Sequence, residues 1–206
     1  MNSEEKKVEL EKIAAEIAAC MKCRLCEQRT KTVPGAGNPK AEILFIGEGP
    51  GRDEDLQGEP FVGAAGKFLN EMLSSIGLKR EDIFIVNVVK CRPPGNRDPE
   101  PDEVETCWPY LEQQIEIIQP KLIATLGRHS MNRFLPGLKI SQAHGQPKRR
   151  KDGRVFLPLY HPAAALYSPS QKAVHLADFA KIPKILEQIK NASSPPPPPP
   201  EQTKLI

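Results

Sequence analysis

The stretch from Ile43 to Gly63, ILFIGEGPGRDEDLQGEPFVG, constrains this chain more than any other. Four consecutive apolar residues, Ile43-Leu44-Phe45-Ile46, read as a strand buried on both faces. They run into Gly47-Glu48-Gly49-Pro50-Gly51, a turn whose glycines let the backbone come close to a ligand. An acidic run, Asp53-Glu54-Asp55, then a single aromatic, Phe61, and a glycine precede a helix expected from about Ala64. In an open α/β sheet, ligands bind outside the carboxyl ends of the strands, where this loop must lie. It is not the dinucleotide fingerprint: Pro50 and the acidic run replace G-x-G-x-x-G, and phosphate cradles seldom carry three carboxylates.

The other elements alternate around this strand. Residues 3 to 19 form an amphipathic helix that Ser3 can cap, with Leu10, Ile13, Ala14, Ile17 and Ala18 on one stripe. The helix after Gly63 turns Ala65, Phe68, Leu69, Met72 and Leu73 inward and stops at Gly77. A second strand, Ile83 to Val89, is apolar except for Asn87, and a stiff loop follows from Cys91 to Pro101. The next helix holds Val104, Cys107, Trp108, Leu111, Ile115 and Ile118, with Pro109 expected to kink it. A third strand runs from Lys121 to Leu126, and a fourth from Val155 to Tyr160, ending at His161-Pro162-Ala163. A last helix, from about Pro169 to Lys190, is interrupted near Pro183. This alternation predicts an α/β fold, a three-layer α/β/α sandwich around a short central parallel four-stranded sheet.

The 206 residues suffice for one domain with a core, expected over 1–190, followed by a disordered proline-rich tail over 191–206. Net charge is only +3, so a polyanion partner would have to be met by local basic faces. No apolar run approaches the roughly 18 residues of a membrane span, and the charged N-terminus has no signal-peptide core. The expectation is a cytoplasmic protein with no membrane partner.

Glu48, Asn87 and His161 each sit at or near the carboxyl end of an otherwise apolar strand. Any one alone is better explained as a satisfied polar group or a turn residue. Three at the same end of three strands favour a site. With Phe61 as a stacking face, the set suits holding a planar heterocycle by its edge and stabilising charge near it. No lysine is poised in the turn and there is no serine elbow, so phosphoryl and acyl transfer are poorly supported.

Cys20, Cys23, Cys26, Cys91 and Cys107 make an odd count with no export signal, which argues against a disulfide framework. Thiolates gathered from two distant places suit an iron–sulfur cluster or a structural zinc, and spacing alone does not choose. Two basic segments, Arg92 to Arg97 and Lys148-Arg149-Arg150-Lys151 with Arg154, are expected to flank the crevice as a phosphate-contacting rim.

Taken together, Gly47-Glu-Gly-Pro-Gly51, Glu54-Asp55, Pro60-Phe-Val-Gly63, Asn87-Val-Val-Lys-Cys-Arg-Pro-Pro94 with Asn96-Arg97, and His161-Pro-Ala163 resemble family 4 uracil-DNA glycosylases. The likeness covers roughly residues 15 to 190 in consistent order. It implies an α/β/α fold, a [4Fe-4S] cluster, and removal of uracil from single- or double-stranded DNA by a monomer. Carried over by residue, the resemblance implies cluster ligands Cys20, Cys23, Cys91 and Cys107, leaving Cys26 as an extra thiol; Cys23 with Cys26 is the alternative pair. It implies Glu48, Gly49 and Pro50 lining the uracil, Phe61 stacking on it, Asn87 bonding its polar edge, and His161 donating to a carbonyl as the base leaves. Better-known uracil glycosylases carry an aspartate where Gly49 stands, so Glu48 is inferred to take that part. Glu54 is the candidate for excluding thymine, Leu166 for wedging into the duplex, and Arg92 and Arg97 for nearby phosphates. A related group traps DNA through a histidine in the loop where this chain has Pro93 to Asp98, so ordinary turnover is expected. The alternative is a non-catalytic nucleic-acid-binding module related to glycosylase-like parts of phage-type polymerases.

Overall fold

A computed structural model describes residues 1–166 and 168–193; most of the expected tail lies outside them. The first helix, α1 (Ser3–Ala19), is capped one residue earlier than expected. The Asn2 side chain accepts from the Glu5 amide while the Glu5 carboxylate accepts from the Asn2 amide, each at 2.9 Å, so one reciprocal box satisfies two end donors. A two-residue strand, β1 (Ala36–Gly37), precedes β2 (Ile43–Gly47). The acidic run, expected in an irregular segment, is a short helix instead, α2 (Arg52–Gln57), whose first turn places Asp53, Glu54 and Asp55 at the positive end of the dipole. Asp55 is buried and accepts from the Thr30 amide at 2.9 Å.

The chain continues through α3 (Ala64–Ser75), β3 (Phe84–Asn87), α4 (Pro101–Ile118) and β4 (Leu122–Leu126). Helix α4 carries on through Pro109 as one element. Next come α5 (Arg128–Phe134), α6 (Ile140–Ala143), β5 (Lys148–Arg149) and β6 (Val155–Leu159). The expected last helix is two, α7 (Pro169–Phe179) and α8 (Ile182–Ser193). Pro183 falls in the first turn of α8, where its missing N–H costs nothing.

The sheet order is β1-β3-β2-β4-β6-β5. The inner four strands are parallel, as expected; the two edge strands are antiparallel additions of two residues each, too short to show a period in sequence. Side chains alternate across the inner strands. Phe45, Ile85, Ala124 and Leu157 face Phe68, Leu69 and Met72 of α3 together with Phe179 and Ile182. Leu44, Ile46, Val86, Ile123 and Phe156 face Leu10 of α1, Leu111 and Ile115 of α4 and Phe134 of α5. Both faces are therefore covered, which is why these strands read as unbroken apolar runs.

Two glycines determine how closely the site elements approach. A Cβ on Gly66 would lie 1.7 Å from the Phe61 carbonyl oxygen, so α3 can abut the preceding loop only because this residue has no side chain. A Cβ on Gly47 would lie 2.3 Å from Asn87 Oδ1 and 2.8 Å from the Phe61 ring. Gly66→Ala is expected to destabilise the fold by on the order of 3 kcal/mol through overpacking against backbone. Thermal melts beside wild type check this; an unchanged midpoint would show that the Phe61 loop yields freely.

Candidate active site

Parallel pairing carries three strand ends to one place. Gly47 pairs with Asn87 across β2 and β3, and Leu126 with Leu159 across β4 and β6. Beyond them the Val88 and Val89 amides donate to the carbonyls of Gly47 and Glu48 at 3.0 and 3.1 Å, tethering the glycine turn to the continuation of β3. Gly127, at φ +94°, ends β4 and leaves room for the His161 side chain, 3.2 Å from where a Cβ would stand. The result is a cavity of about 380 Å³ lined by Glu48, Gly49, Pro50, Glu54, Phe61, Asn87 and His161, with Arg97 and Asp98 on its rim.

Each polar group in the cavity has a defined state. Asn87 is 2% exposed, and its Oδ1 has no hydrogen-bond partner among the described residues, an acceptor that folding has desolvated without compensation. His161 Nδ1 accepts from the Ala163 amide at 3.2 Å, so in the neutral ring the proton sits on Nε2. Burial, reinforced by His175, pushes His161 down to about 4, which keeps the ring neutral at ordinary pH. His175 holds the backbone there, its Nε2 lying 3.2 Å from the His161 carbonyl. The Phe61 ring tilts at 34° to the His161 ring, with centroids 5.7 Å apart.

Burial, with Asp98 close by, pushes Glu48 up to about 7. Asp98 is held by Arg128 at 2.9 Å and lies 3.0 Å from His129 Nε2, which is 3.9 Å from Glu48. Sequence reasoning missed Asp98 and His129, because neither belongs to a periodic pattern and they meet Glu48 only through folding.

Other expected residues fall elsewhere. Arg97 spends its guanidinium as a fork on Glu103, at 2.6 and 2.8 Å, and Glu103 is fully buried. It is therefore a strut of the loop and not a spare cation. Arg92 is bonded by Nε to Asn96 at 2.7 Å and remains on the surface of that loop. Leu166 follows the 3-10 turn Pro162–Ala165 and packs, half-buried, against the α3 side of the core. Glu54 lines the cavity, but its Oε1 accepts from the amides of Val62 and Gly63, each at 2.9 Å.

The second basic segment does not flank the crevice, correcting that expectation. Lys148 and Arg149 pair antiparallel with Phe156 and Val155, at the amino end of β6, whereas the crevice lies beyond its carboxyl end. Arg150 packs over Phe156 and lines a separate groove with Trp108 and Arg133. Polarity of one edge strand decides this, and charge alone carries no polarity.

All five cysteines line a second, small cavity between α1 and α4. Arg29 donates to Cys91 Sγ at 3.2 Å. Lys90, fully buried, donates to the Asn87 carbonyl at 2.8 Å and to Gln114 at 2.7 Å. Burial lowers Lys90 to about 8 and raises the Cys107 thiol to about 11. Among the described residues, no three cysteine sulfurs lie within 4.8 Å of one another.

A family model described as the uracil DNA glycosylase superfamily matches residues 34–189. A type-4 uracil-DNA glycosylase of Archaeoglobus fulgidus is 52% identical over 84% of this chain and 91% of its own length. One from Sulfurisphaera tokodaii is 51% identical over 84% of this chain and 83% of its own. The chain belongs to the type-4 uracil-DNA glycosylases. A DNA polymerase of Bacillus phage SP01 is also similar, 30% identical over 79% of this chain but only 18% of the polymerase.

In this type-4 chain the raised Glu48 has a checkable consequence. Its carboxyl should titrate near pH 7 by carboxyl-carbon NMR, neutral below and charged above. Removing the neighbouring charge with Asp98→Asn should move that titration to lower pH, since a like charge raises a carboxylate. No movement would mean that burial alone sets it.

Proposed function

We propose that this chain is a monofunctional uracil-DNA glycosylase that hydrolyses the N-glycosidic bond of deoxyuridine in DNA and leaves an abasic site for base excision repair. The observation that carries the reading is the orphaned Asn87 Oδ1, desolvated at the floor of a cavity with an aromatic wall. A buried acceptor without a partner fits a planar base that brings a ring N–H, as uracil does at N3. Cytosine presents a lone pair at that position.

The reaction follows from the states of the side chains. A uracil flipped out of the stack lies against Phe61 with its N3–H on Asn87; extrusion costs a few kcal/mol, which these contacts offset. As the C1′–N1 bond breaks, its electron pair passes to the base and spreads to O2. Neutral His161, with its proton on Nε2, donates a hydrogen bond to that oxygen without having to transfer the proton. The sugar is left as an oxocarbenium ion, which the carboxylates of Glu48 and Asp98 stabilise. Water then adds to C1′ and gives its proton to Glu48. Among the described residues no lysine lines the cavity, so no Schiff base forms and the strand stays intact. We assign Gly49 and Pro50 to the wall beside the base, and Arg92 and Leu166 to the contact with the duplex; Lys148, Arg149 and Arg150, beside the amino end of β6, are left out of that contact.

Cys20, Cys23, Cys91 and Cys107 would hold the [4Fe-4S] cluster that the family implies, which ties the N-terminal segment to the loop after Asn87. The gathering of these cysteines round one cavity, with Arg29 donating to Cys91, supports a thiolate-bound group there, and absorption of the purified protein separates the cluster from zinc. We take the catalytic unit to span 1–190 and to work as a monomer in the cytoplasm; separately, no described helix is long and apolar enough to cross a membrane.

Purified protein is expected to release uracil from a U·G duplex and from single-stranded DNA, with strand cleavage only after alkali. His161→Ala should lower kcat by about 10²- to 10³-fold, and Asn87→Ala, which loses the N3–H contact, should lower kcat/KM by about 10²-fold. The kcat/KM profile should rise with pH through about 7 as Glu48 ionises, a limb absent in Glu48→Gln. DNA binding indifferent to uracil, with no release, would favour the binding module. For the cofactor, a broad absorption near about 400 nm is expected of the purified protein, lost in Cys107→Ser and kept in Cys26→Ser. A colourless, zinc-loaded protein would overturn that part alone.

A further inference from the structure

Phe61 occupies a backbone conformation that it would not choose. Its φ is +54°, in the left-handed region that a bulky side chain adopts only under strain. Two charged groups grip the loop that imposes this. Arg80 donates through Nη2 to the Pro60 carbonyl at 2.5 Å and through Nη1 to the Phe61 carbonyl at 2.7 Å. Glu54 accepts from the next two amides, Val62 and Gly63. Four consecutive residues are thus held by one guanidinium and one carboxylate, while Gly66 lets α3 close against the Phe61 carbonyl.

Arg80 has an unusual placement for its charge. It is half-buried and, among the described residues, has no ion pair; Glu59 and Glu54 act on it only through space. Its other contact is a 3.4 Å approach to Asn70. A guanidinium withdrawn from water and spent on two carbonyls is a costly way to hold an ordinary loop. The strained residue that it holds forms the aromatic wall of the base cavity, with its ring packed on Gly47 and beside His161.

We propose that Arg80, together with Glu54, is a positioning residue that pre-sets the Phe61 ring for stacking on the uracil, so that it acts on base affinity through Phe61. This rests on the uracil-DNA glycosylase reading and adds to it a residue from the turn after α3. It also reassigns Glu54: its carboxylate braces the stacking loop, and any effect on thymine passes through the ring position.

The test is a double-mutant cycle on Arg80→Met and Phe61→Ala, with KM on a uracil-containing single strand, inhibition by free uracil, kcat and thermal midpoint measured for each. Arg80→Met should raise KM and the uracil inhibition constant about tenfold, the loss expected for charged hydrogen bonds that order a contact. Its kcat should stay within about threefold, because stacking binds ground and transition states alike. The double variant should match Phe61→Ala, since removing the ring removes what Arg80 acts upon. Arg80→Lys, able to keep one carbonyl, should fall between and serves if Arg80→Met does not fold. Additive effects, or a lower melting point with unchanged uracil inhibition, would overturn the proposal and leave the glycosylase reading standing. Absence of uracil release by the unmodified chain would overturn both.

Discussion

The in-register parallel pairing of β2 with β3 and β4 is the constraint on which the rest of this molecule depends. It buries both faces of each inner strand, so the core and the strand directions are determined together. Every inner strand then ends at the same edge, and residues separated by tens of positions share one crevice without any contact specific to them. The glycines sharpen this. Gly47 leaves space for the Asn87 amide and the Phe61 ring at once, and Gly127 leaves space for His161.

Partial withdrawal of its side chains from water gives the site its chemistry. The same burial that makes a carboxylate reluctant to ionise makes an imidazole reluctant to accept a proton, so Glu48 moves up and His161 moves down. One becomes a base poised near neutrality and the other a neutral donor with its tautomer chosen by the Ala163 amide. Asn87 is the third product of the same desolvation: an acceptor left open at some cost to stability, as happens where a ligand is to supply the missing partner.

Much of this was legible in the chain. Apolar runs such as Ile43–Ile46 mark strands that must be covered on both faces, and polar residues at their ends mark the crevice. Arg97 and the Lys148–Arg150 turn show the limit of such reading. Both look like cations available to a polyanion, yet one is committed to the buried Glu103 and the other lies beside the amino end of β6. Charge in a sequence has a sign but neither a partner nor a direction. The α2 helix was hidden for a related reason, since six residues with one apolar position present no periodicity.

By itself the sequence determined the α/β alternation, the positions of Glu48, Asn87, Phe61 and His161 at strand ends and turns, and the gathering of cysteines from two segments. These follow from local rules: apolar period, turn chemistry and residue type. Only the tertiary structure decided that Asp98 and His129 stand beside Glu48, that Lys90 lies between the cysteines and Asn87, and that Arg80 and Glu54 grip the loop of Phe61. Each is a meeting of groups with no shared period, brought within a few ångströms by packing, and the strength of such contacts depends on a dielectric that exists only once the chain has folded.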